Sequence, residues 1–336
     1  MESAVEPIPR QGIRSWVMIA ALLIVATLCL MIGRYPVAGV LDPRILTQDM
    51  LARQVVLNMR LPRVLGAMLL GAMLGGAGAG LQIIFGNPLV DAGFLGVSPG
   101  AAFGAALALV LGFQSFSLVA LSAFLVALAG LGLTLWLSER FRYGGQILRL
   151  VLAGMAVSAF FSSLLSMVKY VADPLRQLPD IVFWTMGSLV PMNWARLGAV
   201  ASPVLVSLGV LFAMRWRVNL LSLDDAVSHS LGVRAPLERR LVSVAAAAGV
   251  GAITAVSGIV AWVGLVVPQI VRALDGPDGR HVLPHSMLLG ALFLLICDTL
   301  ARTLLAGEIP LGALTSLAGA ASFAVLLTLR KVELAR

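Results

Sequence analysis

Ten apolar stretches of the chain, most of them long enough for a membrane-spanning helix, limit the possible fold more than any other feature. They lie near residues 16–33, 63–85, 99–112, 116–137, 147–170, 197–214, 241–257, 259–271, 285–305 and 311–329. A bilayer core of about 30 Å needs roughly 20 apolar residues of helix. With 60% apolar and 12% charged residues, the chain of 336 has little left for a soluble domain. We therefore predict an all-α polytopic membrane protein of about ten transmembrane helices, with residues 1–336 forming a single transmembrane domain.

The basic residues orient these spans. An even number of spans puts both termini on one side, and we assign that side to the cytoplasm. The cytoplasm then also holds the loops at 86–98, 138–149, 215–240 and 272–284, and 15 of the 24 basic residues. The net charge of +8 is interpreted as this orientation signal in a lipid bilayer, and not as a signal for nucleic acid. The apolar run after Arg10 and Arg14 lacks a small-residue cleavage site, so we interpret it as the first span.

Proline and cysteine add two local expectations. Pro268 lies inside the short segment at 259–271 and cannot donate a backbone hydrogen bond, so we expect it to interrupt that span and leave half-helices. Cys29 and Cys297 lie in apolar runs without a neighbouring CxxC or histidine. We predict that both cysteines are buried packing residues, with no disulfide and no metal.

Glycine is concentrated in one stretch, LGAMLLGAMLGGAGAG at residues 65–80. Gly71 with Gly75, and Gly76 with Gly80, have the GxxxG spacing that allows two helix backbones to approach closely. We predict a central helix here and interpret the glycines mainly as packing residues. Lining of a transport pathway is the alternative.

Longer motifs carry a family resemblance. RLPR begins a segment at 60–105 that continues through NPL to LGVSPGA. FWTMGSL at 183–189, SGIVAWVGLVVPQIVR at 257–272, LPHSMLLGALFLLICDTLAR at 283–302 and EIPLGALTSLAGA at 308–320 follow in order. In these motifs the chain resembles the permease subunits of binding-protein-dependent ABC importers for iron siderophores, haem and cobalamin. It departs from their pattern at Gln269, where histidine is usual, in GPDGRH, and in AGAASF, which lacks the usual proline.

The resemblance implies the type II ABC importer permease fold, with ten transmembrane helices per subunit. It also implies a second copy of the chain, two ATPase subunits and a periplasmic substrate-binding protein as partners, in the bacterial cytoplasmic membrane. The chain contains no GxxxxGK[ST] motif, so we assign ATP and Mg to the ATPase partner. We expect no catalytic residue, no metal and no cofactor on this chain. The expected cargo is an iron siderophore or haem, with cobalamin or an oxyanion as alternatives.

The same resemblance places a coupling helix for the ATPase in the loop at 215–240. SLDDAVSHSLGV, residues 222–233, occupies this place. The predicted coupling residues are Leu223, Asp224, Asp225, Ala226, Val227, Leu231 and Gly232. Apolar side chains would enter a cleft of the partner, and Gly232 would end the helix. The alternative is that the two aspartates only solubilise the loop or cap a helix.

Three arginines are predicted to dock the binding protein at the outer side. The resemblance gives Arg60 and Arg63 from RLPR and Arg302 from DTLAR, because arginine binds carboxylates with a planar fork. The alternative for these arginines is anchoring of the helices at the membrane interface. Asp298, one turn before Arg302, is expected to form a structural pair with it. The NPL motif adds Asn87 and Pro88 to the glycines as packing or pathway candidates.

Two other functions remain as alternatives. A secondary transporter would use an ion gradient, but Asp298 is the only convincing buried carboxylate for an ion relay. An intramembrane enzyme would need a catalytic constellation. GVSPG at 96–100 resembles a serine site superficially, yet the histidines at 229, 281 and 285 lie in cytoplasmic or boundary positions. We also expect Lys169, Asp173, Arg176 and Asp180 to form a solvated rim rather than to touch an anionic chelate.

Overall fold

The computed structural model describes residues 15–35, 39–142, 145–223, 225–305 and 307–334. Its α-helices are α1 Ser15–Met31, α2 Ile45–Gln48, α3 Met50–Gln54, α4 Leu61–Ile84, α5 Val97–Val110, α6 Phe116–Arg140, α7 Gln146–Val171, α8 Gln177–Met186, α9 Trp194–Met214, α10 Val218–Leu221, α11 Asp225–Ser230, α12 Ala235–Ser257, α13 Val263–Asp275, α14 Gly279–Thr303 and α15 Leu311–Leu334. A π-helical stretch at Val55–Arg60 joins α3 to α4, and a 3₁₀ turn at Ala92–Leu95 precedes α5. Two strands of two residues each, β1 Ile32–Gly33 and β2 Gly39–Val40, pair antiparallel.

The predicted all-α architecture is confirmed. Each of the ten apolar segments coincides with one helix, namely α1, α4, α5, α6, α7, α9, α12, α13, α14 and α15. Within the described ranges, six helices are long and apolar enough to cross a membrane, and three shorter apolar helices accompany them. The tenth, α13, has 13 residues. The second span begins earlier than predicted, because Asp49 caps α3 through the backbone N–H groups of Leu51 and Ala52, and the helix then continues without a break to Ile84.

Helix α4 lies at the centre of the bundle, in contact with α9, α12, α13 and α14. Its glycines allow this position. A Cβ atom added to Gly71 would lie 2.1 Å from the carbonyl oxygen of Gly290, and one added to Gly75 would lie 2.1 Å from that of Ser286. The backbones of α4 and α14 are therefore in direct contact, as GxxxG spacing allows.

The prediction that Pro268 interrupts its span is wrong. Helix α13 runs through Pro268 without a break. The missing proline N–H would have bonded to the carbonyl of Gly264, and the Gln82 side chain of α4 donates to that oxygen instead, at 3.1 Å. The real break precedes α13, where Gly258 and Trp262 both adopt positive φ. It leaves α13 as a short helix that begins inside the bundle.

Candidate functional site

The segment between α9 and α12 is a compact turn of two short helices at the predicted cytoplasmic end. Helix α11 stops at Ser230, and Gly232 adopts a φ of 76°. The N–H of Gly232 donates to the carbonyl of His229, and that of Val233 donates to the carbonyl of Ser228, at 3.0 Å each. These two bonds form a Schellman motif, which needs a left-handed residue and so favours glycine. We call residues 218–233 the coupling segment.

Hydrogen bonds on the inner face hold the coupling segment together and tie it to α12. Ser228 is fully buried, and its hydroxyl donates to the carbonyl of Leu220 at 2.8 Å. Arg239, near the start of α12, donates to the carbonyls of Leu221 and Leu223 at 2.9 Å each. Because buried polar groups need such partners, these bonds fix the position of the segment.

A second anchor joins the coupling segment to α14. The side chain of Asn219 donates to Asp278 Oδ1 at 2.7 Å and accepts the backbone N–H of Gly279 at 2.8 Å. Partial burial of Asp278 opposes its ionisation, but bonds from the Arg280 backbone N–H and from Asn219 hold its pKa below the ordinary value. Asp278 is thus a charged N-cap of α14 that also orients Asn219.

The outer face of the coupling segment is apolar and exposed. Leu223, Val227 and Leu231 are 40%, 47% and 56% exposed. Apolar side chains of this size on a polar, well-anchored turn are typical of a surface that a partner covers. Asp224 lies outside the described residues, and only the helical backbone is described for Asp225 and Ala226.

The structure brings the three predicted docking arginines together at the other end of α4, and it engages each of them internally. Arg63 donates through Nε to Asp298 Oδ1 at 2.9 Å, and through Nη1 and Nη2 to both oxygens of Glu308 at 2.9 and 2.8 Å. Asp298 is 1% exposed, whereas Glu308 is 38% exposed. Arg63 therefore ties α4 to α14 and to the chain that leads into α15.

Arg60 and Arg302 bind backbone carbonyls near the small hairpin of β1 and β2. Arg60, 7% exposed, donates to the carbonyls of Leu30 and Tyr35 at 3.1 and 3.0 Å. Arg302 donates to the carbonyl of Ile32 at 2.8 Å, and its Nε lies 3.8 Å from Asp298. The predicted Asp298–Arg302 pair is thus present, but the shorter contact of Asp298 is with Arg63.

Glu308 is a partner that the sequence analysis missed. The residue stands at the start of EIPLGALTSLAGA, and a carboxylate beside a membrane boundary was a signal that some cation faces it. The three arginines and Glu308 line a cavity of about 560 Å³ at the predicted outer end. Arg34 and Arg53 are exposed at the same end.

The remaining site candidates lie along α4 and in the turn that follows it. Cβ atoms added to Gly76 and Gly80 would meet the side chains of Met287 and Val242, at 2.8 and 3.3 Å. Asn87 accepts the N–H of Leu89 at 2.9 Å, and the carbonyl of Pro88 accepts from Gln269 at 2.8 Å. The unusual Gln269 thus holds the NPL turn against α13.

The histidine that the structure buries is His285, in α14. Its Nδ1 lies 2.5 Å from Asp275 Oδ2, and its Nε2 lies 2.8 Å from the hydroxyl of Ser15. These contacts join the start of α1 and the end of α13 to α14. Ser98 of GVSPG lies in α5, which packs against α6, α7, α8 and α12. Among the described residues, no group of three or more histidine, cysteine or acidic side chains is placed to hold a metal ion.

Residues at the end of α7 form the rim that was expected there. Asp173, Arg176 and Asp180 are exposed, and Lys169 is half-buried in the last turn of α7. Asp173 caps the turn that follows, by accepting the N–H groups of Leu175 and Arg176. The rim is thus a solvated helix boundary.

Comparisons with known proteins agree on one family. A family model described as the FecCD transport family matches residues 19–329. The molybdate import system permease protein of Haemophilus influenzae is 39% identical over 312 residues, 91% of this chain and 92% of the relative. The hemin transport system permease protein of Yersinia pestis is 40% identical over 273 residues, 80% of this chain and 81% of the relative. A solved structure described as an inward-facing conformation of a metal-chelate type ABC transporter is 39% identical, with a TM-score of 0.86. The match covers 93% of this chain and 98% of the chain in that structure.

Proposed function

The chain belongs to the FecCD transport family of ABC importer permeases, and from that premise we propose its cargo, partners and mechanism. It passes a metal chelate, an iron siderophore or haem, from a periplasmic binding protein into the cytoplasm by alternating access. Two copies of the chain form the pathway, and two ATPase subunits bind ATP and Mg and drive it. The protein lies in the bacterial cytoplasmic membrane with both termini in the cytoplasm.

The exposed apolar face of the coupling segment is the observation that carries this proposal. Leu223, Val227 and Leu231 would insert into a cleft of the ATPase, as amphipathic helices do in apolar grooves. Ser228 holds the segment together, and Arg239 and Asn219 tie its inner face to α12 and α14, so a push on the outer face is transmitted to these two helices. A segment without these anchors would move alone.

The arginine cluster supports docking of a binding protein in one specific form. Arg60 and Arg302 already donate hydrogen bonds to backbone carbonyls, so they stabilise the outer surface and are not free to bind a carboxylate of the partner. Arg63 is different, because its second carboxylate partner, Glu308, is partly exposed. A carboxylate of the binding protein would replace Glu308 on Arg63.

Glu308→Gln tests this docking proposal without removing an arginine. The variant weakens the internal competitor of the incoming carboxylate, so docking should tighten by a factor of about two to five at low salt. Glu139→Gln, at the opposite end of the protein, is the matched control and should leave docking unchanged. Equal affinities for Glu308→Gln and the wild type would contradict the role of Arg63.

Transport itself is tested in proteoliposomes that contain the permease and its ATPase, with binding protein offered in turn with ferric siderophore, haem, cobalamin and molybdate. We expect ATP-dependent uptake of the siderophore or of haem. Uptake of molybdate would overturn the proposal of a metal chelate as cargo but would keep the proposal of an ATP-driven importer. Molybdate is the second candidate because the Haemophilus relative is described as a molybdate import permease. Uptake on an ion gradient without ATPase would overturn the importer mechanism.

A further inference from the structure

A cavity of about 790 Å³ lies beside the coupling segment and has no part in the proposed transport cycle. It is enclosed by the end of α6, the start of α7, the start of α12 and Phe85, which follows α4. Three arginines line it, Arg149, Arg239 and Arg240, against one carboxylate, Glu139. The cavity therefore carries an excess of positive charge next to the membrane boundary.

The carboxylate does not neutralise this charge. Glu139 lies 3.7 Å from Arg240, and their side chains are 67% and 59% exposed. An exposed pair at that separation contributes little and is screened by salt. Arg149, which lies deeper, donates to a backbone carbonyl and forms no ion pair with Glu139 within the described residues.

Two residues that line the cavity each have a buried polar atom without a hydrogen-bond partner in the described part of the chain. One is Nε of Arg149, whose Nη1 donates to the carbonyl of Phe141 at 3.2 Å. The other is the hydroxyl of Ser243, a residue that is 1% exposed. Buried polar groups are normally bonded, so each points to a ligand that supplies an acceptor. An acceptor that meets a guanidinium N–H and a hydroxyl in a positive cavity is most strongly bound when it is anionic.

We propose that this cavity is a binding site for a phosphate-type oxyanion, held by Arg149 and Ser243 and attracted by Arg240. The anion is either free phosphate or the phosphate of an anionic lipid headgroup, since the cavity opens at the end of the membrane helices. Arg239 connects the site to the coupling segment, because it lines the cavity and also donates to the carbonyls of Leu221 and Leu223. The side chain of Arg239 thus connects an anion in the cavity to the segment that would contact the ATPase.

The test uses the purified full-length chain in detergent, stripped of lipid, and measures the midpoint of thermal unfolding. Inorganic phosphate is titrated against chloride at equal ionic strength, and in a second arm phosphatidylglycerol is compared with phosphatidylcholine in nanodiscs. The variant is Arg149→Gln, and the matched control is Arg53→Gln, which removes the same charge from an exposed arginine before the opposite end of α4. Binding is measured on the permease alone, so the result does not depend on the transport cycle.

Phosphate should raise the midpoint of the wild type and of Arg53→Gln, and bind Arg149→Gln about tenfold more weakly, as expected for a lost charge-assisted bond. The same variant dependence with phosphatidylglycerol alone would identify the lipid as the source of the phosphate. Equal midpoints in phosphate and chloride, together with no effect of phosphatidylglycerol, would overturn the proposal. Equal weakening in both arginine variants would overturn it as well, because net charge alone would then explain the binding.

Ser243→Ala is the second variant, in case Arg149→Gln does not fold. Without ligand, it should unfold at the wild-type midpoint or above it, because it removes a buried hydroxyl that has no partner within the described residues. With phosphate, it should bind several-fold more weakly than the wild type. Unchanged phosphate binding in Ser243→Ala would contradict the assignment of this hydroxyl to the site.

Discussion

The two ends of α4 differ in which side chains are bonded within the chain and which are exposed. At its predicted outer end, Arg60, Arg63 and the neighbouring Arg302 of α14 are charged but already bonded to carboxylates and carbonyls of the same chain. Past its last turn, the coupling segment exposes Leu223, Val227 and Leu231, while Ser228 and Asn219 are bonded inward. The three arginines are bonded within the chain at one end, and three apolar side chains are exposed at the other.

The difference shows that residue type alone does not identify a docking surface. Arginines at a helix end are typical of partner binding, yet here most of their bonds are used to join α1, α4 and α14. Leu223, Val227 and Leu231 were predicted as coupling residues, and they form an exposed apolar surface that is not bonded within the chain in this way. The predictions below test this contrast, beginning with the largest effect.

Replacement of Arg63 by methionine should have the largest effect, and that effect should already appear in the folding of the permease alone. It leaves Asp298, at 1% exposure, without its closest charge partner, and breaking a buried pair in this way costs about 3–5 kcal/mol. The free energy of unfolding in detergent measures the loss. Arg53→Met, at an exposed arginine, should stay within about 0.5 kcal/mol of the wild type.

A double variant distinguishes loss of the pair from loss of the arginine. Arg63→Met combined with Asp298→Leu removes both buried charges, so most of the stability should return. If the double variant is as unstable as Arg63→Met alone, the pair is not the reason for the loss. If Arg63→Met itself unfolds like the wild type, the arginine is a free docking group and the contrast between the two ends fails.

Leu231→Asp should act on partner binding and leave folding unchanged. The side chain is 56% exposed, so the permease alone should unfold within about 0.5 kcal/mol of the wild type. A carboxylate in the ATPase cleft should cost about 2 kcal/mol or more of association, as a central apolar anchor does. Co-purification of the ATPase measures this. Leu175 is 90% exposed and follows the C-terminal end of α7, at the predicted outer side. Leu175→Asp is therefore the matched control and should retain the ATPase. Normal ATPase content in Leu231→Asp would contradict the coupling role.

Asn219→Ala should have an intermediate effect, because it cuts the tie between the coupling segment and α14. The change removes two hydrogen bonds, to Asp278 and from Gly279, and should cost about 1–3 kcal/mol of stability. With the ATPase still bound, ATP hydrolysis should continue while transport per ATP falls. Asn58→Ala, at an exposed asparagine before α4, should change neither quantity. Unchanged transport per ATP in Asn219→Ala would show that this anchor does not transmit the motion.

The smallest effect expected is a pH dependence from Asp278. Its pKa is lowered in the folded protein, so the stability it contributes is present above its unfolded pKa of about 3.9 and is lost as the pH falls through the folded value. The difference in unfolding midpoint between the wild type and Asp278→Asn should therefore be constant near neutral pH and shrink in acid. A difference that grows in acid would contradict the bonding assigned to Asp278.

Much of the fold could be predicted because its determinants are local. Apolar length predicts the ten helices, and glycine spacing predicts the central position of α4. The errors concern partners far apart in sequence. Gln82, 186 positions before Pro268, supplies the donor that the proline lacks. No local pattern near Pro268 therefore reveals that the helix continues. Arg63 meets Glu308 across 245 positions, and for that reason its use inside the fold was not visible.

The short helix that ends at Gly232 was predictable for a different reason. Its pattern of apolar positions ended by Gly232 is local, and the order of the surrounding motifs determines its place in the chain. What could not be predicted is the inner face of the coupling segment, since Ser228 and Asn219 have no distinguishing sequence signal. Their bonds to Leu220 and Asp278 appear only once the helices are packed.

Photo-crosslinking from position 227 tests the central claim most directly. The chain has two cysteines and both are buried, so Val227→Cys adds an accessible thiol for a benzophenone label. In membranes that contain the ATPase, illumination should produce an adduct with the mass of the permease plus one ATPase subunit, and Leu175→Cys should not produce it. Absence of this adduct at 227 in a complex that still transports would contradict the account, because the ATPase would then act through another surface.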